Sequence, residues 1–201
     1  MDVHIIMLAI VVLIVFLEGS RGLTSDFAAR KLCHAGCGLG IMMLDSNRLD
    51  CQLFVYSVAA SSILMTWNLS PLPPFRFSRP RDVGLTVYLT LVALWFAWEL
   101  PPRILAPLFF ADPAGAVVGK TCSQYFGPRY NFPWYQKKTV CGTFAVFVFT
   151  YLTITFEASG FARRAIAASA AVVEALGGDY DNLCIAAVVL AGWQLCGGGT
   201  A

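Results

Sequence analysis

Two carboxylates stand where a charge is expensive. Asp112 lies inside the apolar stretch Ile104 to Gly119, and Glu174 lies inside Ala165 to Leu176. Asp181 follows in EALGGDYDN, with Asp179 before it and Asn182 after it. An ionised group in hydrocarbon costs a few kcal/mol at the least, so it faces a protein interior or a wet cavity and is a functional candidate by default. The structural alternative is a carboxylate paired with a neighbouring arginine. His34, near the start of another apolar stretch, joins the list of embedded ionisable groups. Oxygens clustered at the EALGGDYDN helix junction suit Mg²⁺, which takes one or two carboxylates and leaves room for substrate phosphates. A solvated turn would explain them as well.

Cations and small residues supply the other half of a phosphate chemistry. In WYQKKTVCGT, Lys137, Lys138, Thr139 and Thr143 open an apolar run. A helix N-terminus carries free N–H groups and partial positive charge, a ready anion site. Interfacial anchoring by Trp, Tyr and Lys is the equal alternative. The stretch FFADPAGAVVGKT imitates a P-loop, but only Ala116, Val117 and Val118 separate Gly115 from Gly119-Lys120. The P-loop needs four such residues and a preceding strand, so that reading is excluded. Pro113 is expected to kink or break the helix after Asp112. Gly115 and Gly119 allow close approach of a second helix or of a phosphate. Lys120, at the expected helix end, can reach a phosphate or snorkel to the interface.

The elements that must position these groups are membrane helices. The chain has 201 residues, of which 58% are hydrophobic and 13% charged, with mean hydropathy +0.68. Soluble domains carry roughly a quarter charged residues. The expected class is an all-α, polytopic integral membrane helix bundle, one domain over 1–201. A first membrane helix occupies 1–20; no basic region precedes it, so it is not read as a cleaved signal. Apolar runs cover Val3–Leu17, Leu32–Leu44, Cys51–Leu69, Val83–Trp98, Ile104–Gly119, Val140–Phe156, Ala165–Leu176 and Leu183–Cys196. Roughly six to eight transmembrane or re-entrant helices follow from their lengths. No period-2 alternation marks a membrane barrel, so strands are not expected.

A net charge of +2 argues against a nucleic-acid partner. The 7 cysteines include no C-x-x-C, and Cys33 and Cys37 read as small packing residues one helical turn apart. If every run spans, most of the 14 Lys and Arg fall on one side, which the positive-inside rule makes cytosolic. Arg30-Lys31, Arg81-Asp82, Lys120, Lys137-Lys138 and Asp181-Asn182 all fall there. Cations for phosphates, carboxylates for a metal and buried acids on one side point to phosphoryl transfer at a membrane face.

The order of motifs resembles the membrane kinases of the phytol kinase and dolichol kinase family, which includes CTP-dependent diacylglycerol kinases. ARKLCHAGCGL (Ala29 to Leu39) is similar to the family's Arg-Lys-x-x-His element. ADPAGAVVGK is similar to its Asp-x-x-Ala/Gly-x-x-x-Gly-Arg/Lys element. KKTVCGT is similar to its Lys-Ser-x-x-Gly-Ser element, with Thr139 and Thr143 for the serines. EALGGDYDN is similar to its Glu…Asp-Asn element, and RDVGLTVY (Arg81 to Tyr88) to a weaker Asp-x-Gly element. The resemblance covers a kinase-like core over 28–196. It implies a site of Arg30, Lys31, His34, Asp112, Gly119, Lys120, Lys138, Gly142, Glu174, Asp181 and Asn182. It implies CTP or another nucleoside triphosphate as donor and a lipid alcohol as acceptor. Mg²⁺ would be held by Asp181, Asn182 and Asp112. Phosphates would be met by Arg30, Lys31, Gly119, Lys120, Lys138, Thr139, Gly142 and Thr143. Asp112 or His34 would take the hydroxyl proton, with Glu174 as a further catalytic group. Ala116 stands where phytol kinases often carry a second aspartate, extra residues follow Lys120, and no plastid transit sequence is present. An endoplasmic reticulum or other endomembrane location is expected. The runner-up is a non-catalytic membrane subunit of a larger complex; a transporter would show repeats or paired half-helices.

Overall fold

The computed structural model describes residues 2–198. It resolves into two compact units, Met1–Arg103 and Ile104–Ala201, where the sequence was read as one domain. The boundary falls within a 3₁₀ turn, Pro102–Leu105.

The first unit contains α1 (Val3–Gly19), α2 (Asp26–Ile41), α3 (Leu49–Thr66) and α4 (Val83–Ala97). α1 packs on α2, and α3 on α4. Three of these helices start on a side-chain cap: Asp2 accepts from His4 N, Ser25 from Ala28 N, and Asp82 from Leu85 N. Such caps satisfy one of the donors that a helix start leaves orphaned. The end of α1 is closed differently. Arg76, its side chain 5% exposed, donates to Leu17 O at 2.8 Å, Thr24 O at 3.0 Å and Asp26 Oδ1 at 2.8 Å. It therefore ties the chain before α4 to the turn between α1 and α2.

The second unit contains α5 (Ala106–Phe126), a hairpin of β1 (Pro133–Tyr135) and β2 (Lys138–Thr139), then α6 (Val140–Thr153), α7 (Gly160–Gly177) and α8 (Asp181–Leu195). α5 packs on α6, α6 on α7, α7 on α8, and α8 back on α5, which closes a four-helix ring. Ala111, Val146 and Ala171 form its buried core, with Phe147 against them. The small residues between α5 and α6 set how closely these helices meet. A Cβ on Gly142 would lie 2.9 Å from Gly115 O and 3.4 Å from Gly119 Cα. Backbone therefore meets backbone, and only glycine fits.

Several expectations need correction. Pro113 does not break its helix: α5 runs unbroken through it, because packing against α6 and α8 outweighs the one hydrogen bond that proline forgoes. Lys120 is not at a helix end, since α5 continues to Phe126. Strands exist, as a short antiparallel hairpin turned at Gln136, whose φ of 46° is left-handed. Its strands are too short for any period-2 signal. The all-α class holds for the rest of the described chain.

Among the described residues, one helix, Leu49–Thr66, is long and apolar enough to cross a membrane. Val3–Gly19, Val83–Ala97 and Val140–Thr153 are apolar but shorter. At 1.5 Å per residue, the 17 residues of α1 reach about 25 Å against a hydrocarbon core of about 30 Å. Large apolar side chains are exposed on the described elements, among them Leu8, Val15, Leu53, Phe144 and Leu152.

Candidate functional site

The four-helix ring brings four charged side chains to one place. Asp112 comes from α5, Glu174 from the last turns of α7, Asp181 from the first residue of α8, and Lys138 from β2. Ligand oxygens of Asp112, Glu174 and Asp181 lie within 4.8 Å of one another. Lys138 Nζ donates to Glu174 Oε1 and, at 3.3 Å, to Asp181 Oδ2. Asp112 is 7% exposed and Glu174 4%.

Each member is held by local structure. Asp181 opens α8, and its Oδ1 accepts from Asn182 N at 2.8 Å, which fixes the carboxylate. The 3₁₀ turn Gly178–Tyr180 bends α7 into α8 and sets Glu174 beside Asp181. It begins on Gly178, whose φ of +57° suits glycine. Lys138 is aimed inward by the turn at Gln136. Burial opposes its charge, yet Glu174, Asp181 and Asp112 outweigh burial and hold its pKa above the ordinary lysine value.

Three carboxylates and one ammonium sum to a net charge near −2, which matches a divalent cation. Asn182 is buried, and its Oδ1 has no hydrogen-bond partner. Three carboxylate oxygens from different helices within 4.8 Å of one another fit a hard oxygen-seeking ion such as Mg²⁺.

No protein-family model, curated protein or solved structure matches the chain. The site is therefore read from its own residues.

The other expected phosphate ligands are occupied structurally. Thr139 caps α6, accepting from Gly142 N at 3.3 Å. Thr143 Oγ1 accepts from Trp134 Nε1 at 2.7 Å. The face of Gly119 is filled by Thr139 and Gly142, so Gly119 and Gly142 form a helix contact rather than an open cradle. Lys120 is exposed on α5.

Arg30, Lys31 and His34 belong to the first unit and lie on α2. Arg30 grips Asp82 with both guanidinium nitrogens, at 2.5 and 3.3 Å. Burial would push the Asp82 carboxyl up, but Arg30 and the Leu85 and Arg79 amides prevail and hold it below the usual range. The cation proposed for a phosphate is thus paired with a carboxylate that also caps α4. The His34 ring meets Tyr88 at 4.3 Å with the planes tilted by 51°, and Lys31 is half-buried. Cys33 and Cys37 bring their sulfurs to 3.8 Å.

Asn131 was missed by the sequence reading. It is 1% exposed and joins three segments: Nδ2 donates to Gly119 O at 2.9 Å and to Ser123 Oγ at 2.8 Å, and Oδ1 accepts from Cys141 N at 3.0 Å. It fixes the connection that delivers Lys138. An asparagine in a connecting loop carries no signal of burial.

Proposed function

We propose that this protein is a membrane-embedded phosphotransferase that moves a phosphoryl group from a nucleoside triphosphate to a lipid alcohol. The observation that carries the reading is the cluster of Asp112, Glu174, Asp181 and Lys138, in which Asp112 and Glu174 are buried. Phosphoryl transfer asks a protein mainly to position reactants and to balance charge. Asp181 and Asp112, with the Asn182 amide oxygen, would hold Mg²⁺, which would supply positive charge to offset the charge developing on the phosphates. Lys138 is placed to swing from Glu174 to a phosphate oxygen. Asp112, buried on α5, is the group to accept the hydroxyl proton, and Glu174 keeps Lys138 oriented. The exposed apolar faces support a lipid-facing protein, since soluble monomers rarely expose broad apolar surface. The motif order supports CTP as donor and a polyprenol, phytol-type alcohol or diacylglycerol as acceptor.

The test is transfer of label from γ-labelled CTP or ATP by the purified protein in nanodiscs, offered a panel of lipid alcohols with Mg²⁺. Transfer that vanishes on chelation and in Asp112→Asn supports the reading. No transfer from any nucleotide overturns it. A second reading is favoured by the Lys138–Glu174 pair itself, which satisfies both charges without a ligand. A stable ion-pair network in a non-catalytic membrane subunit would look the same. Recovery of the chain in a stable assembly, with no nucleotide binding, selects that reading.

A further inference from the structure

The connection between α5 and α6 is inverted relative to a loop solvated by water. Tyr125, Phe126, Tyr130, Phe132, Trp134 and Tyr135 are all exposed, Tyr125 by 81% and Tyr130 by 72%. Asn131, among them, is the residue turned inward. Its hydrogen bonds to α5 and to Cys141, the β1–β2 pairing, and the bond from Val140 N to Phe132 O at 3.3 Å fix the backbone. Trp134 is itself oriented by its bond to Thr143. The rings therefore project as a fixed set. A water-facing loop would do the reverse, burying rings and exposing an amide.

Charge identifies what covers them. From Pro113 to Phe156 the chain holds no Asp or Glu, and its formal charges are Lys120, Arg129, Lys137 and Lys138. Lys138 is turned to the carboxylates. Arg129 lies over the Tyr130 ring at 5.9 Å, and Lys120 and Lys137 are exposed. Outward Tyr and Trp among lysine and arginine have the chemistry of the headgroup layer, where amphipathic rings settle and cations meet anionic lipid. The ring surface also continues onto α6, where Val140, Phe144 and Leu152 are exposed.

We propose that the segment from Tyr125 to Lys137 is an interfacial anchor that binds anionic phospholipid headgroups. The inference rests on the membrane reading of the chain and is independent of phosphoryl transfer.

The full chain is reconstituted into nanodiscs of phosphatidylcholine with phosphatidylglycerol. Emission from Trp134 is isolated by difference against Trp134→Phe. Lipids brominated near the headgroup are expected to quench it, and aqueous iodide is not. Tyr130→Trp gives a second reporter that leaves the Trp134–Thr143 bond in place. Phosphatidylglycerol co-retained with the protein is then measured by native mass spectrometry. Retention is expected to fall about fivefold per charge removed in Arg129→Gln and Lys137→Gln. Iodide access at both rings in an incorporated protein, as when a protein partner covers this face in the cell, overturns the anchor and leaves the membrane reading standing. Equal lipid retention in the variants overturns the anionic preference. A chain that stays out of the nanodisc overturns both.

Discussion

At the residue scale, the decisive choice is a lysine among buried acids. Removing one partner of a buried ion pair leaves an uncompensated charge and costs about 3–5 kcal/mol. Lys138→Ala is therefore expected to lower thermal stability by that order. Lys138→Met combined with Glu174→Gln should lose less than the two single changes together, and differential scanning fluorimetry in detergent reads both. The pH dependence has a definite sign. Lys138 has a folded pKa above its ordinary value of 10.5, so its contribution is complete below that pH and fades as pH rises through the folded value. Asp82, held below its ordinary 3.8, contributes above that pH and loses its effect as pH falls through the lower folded value. Hydrogen exchange should show α4 loosening at the acid end and the α7–α8 junction at the alkaline end. Asp112 and Glu174 were legible as chemistry because apolar sequence makes a carboxylate conspicuous, and Asp181 because it sits among clustered oxygens in EALGGDYDN. Their partner was only half legible. Loop sidedness grouped Lys138 with Asp181, but 36 residues separate Lys138 from Glu174, and no local rule joins them.

At the element scale, the apolar runs located the helices, and packing decided their ends. The run ending at Gly119 became a helix to Phe126, because Asn131 holds Gly119 O and Ser123 Oγ and steadies the polar last turns. The run starting at Ala165 became a helix from Gly160, capped by Ser159, since Arg163 and Arg164 hid its polar first turn. The glycines tell the opposite story. Gly115, Gly119 and Gly142 were legible as small residues, yet whether they faced a phosphate or a helix depended on the partner. Gly142→Ala would press a methyl on Gly115 O and Gly119 Cα, and backbone cannot step aside. A loss of about 1–3 kcal/mol is expected. Gly115→Ala meets Val146 Cγ2 instead, at 2.5 Å. Val146→Ala should partly rescue Gly115→Ala and not Gly142→Ala, which a double-mutant comparison of melting temperatures will reveal.

At the scale of the whole molecule, composition pointed to lipid while helix length qualified it. Among the described residues, a single helix meets the full length and hydropathy of a span. On the proposed membrane reading, the shorter apolar helices would span by using their flanks or a locally thinned bilayer, each at modest cost. Resistance of the full chain to alkaline carbonate extraction from membranes is the expected result, and release into the supernatant would contradict integral insertion. The division at Arg103 was not legible, because no linker composition marks it: Pro101, Pro102 and Arg103 pass directly from one unit to the next.

If the chain enters a membrane as proposed, the Lys138–Glu174 pair also bears on how it is made. α7 carries Arg163, Arg164 and Glu174, a poor candidate to leave the translocon alone. Its acid has a waiting counter-charge on β2, which emerges from the ribosome before α7 does. α6 and α7, packed against each other, are then suited to partition together, the acid neutralised at the moment of release. The same contact that balances charge in the finished site would thus set the order of biogenesis.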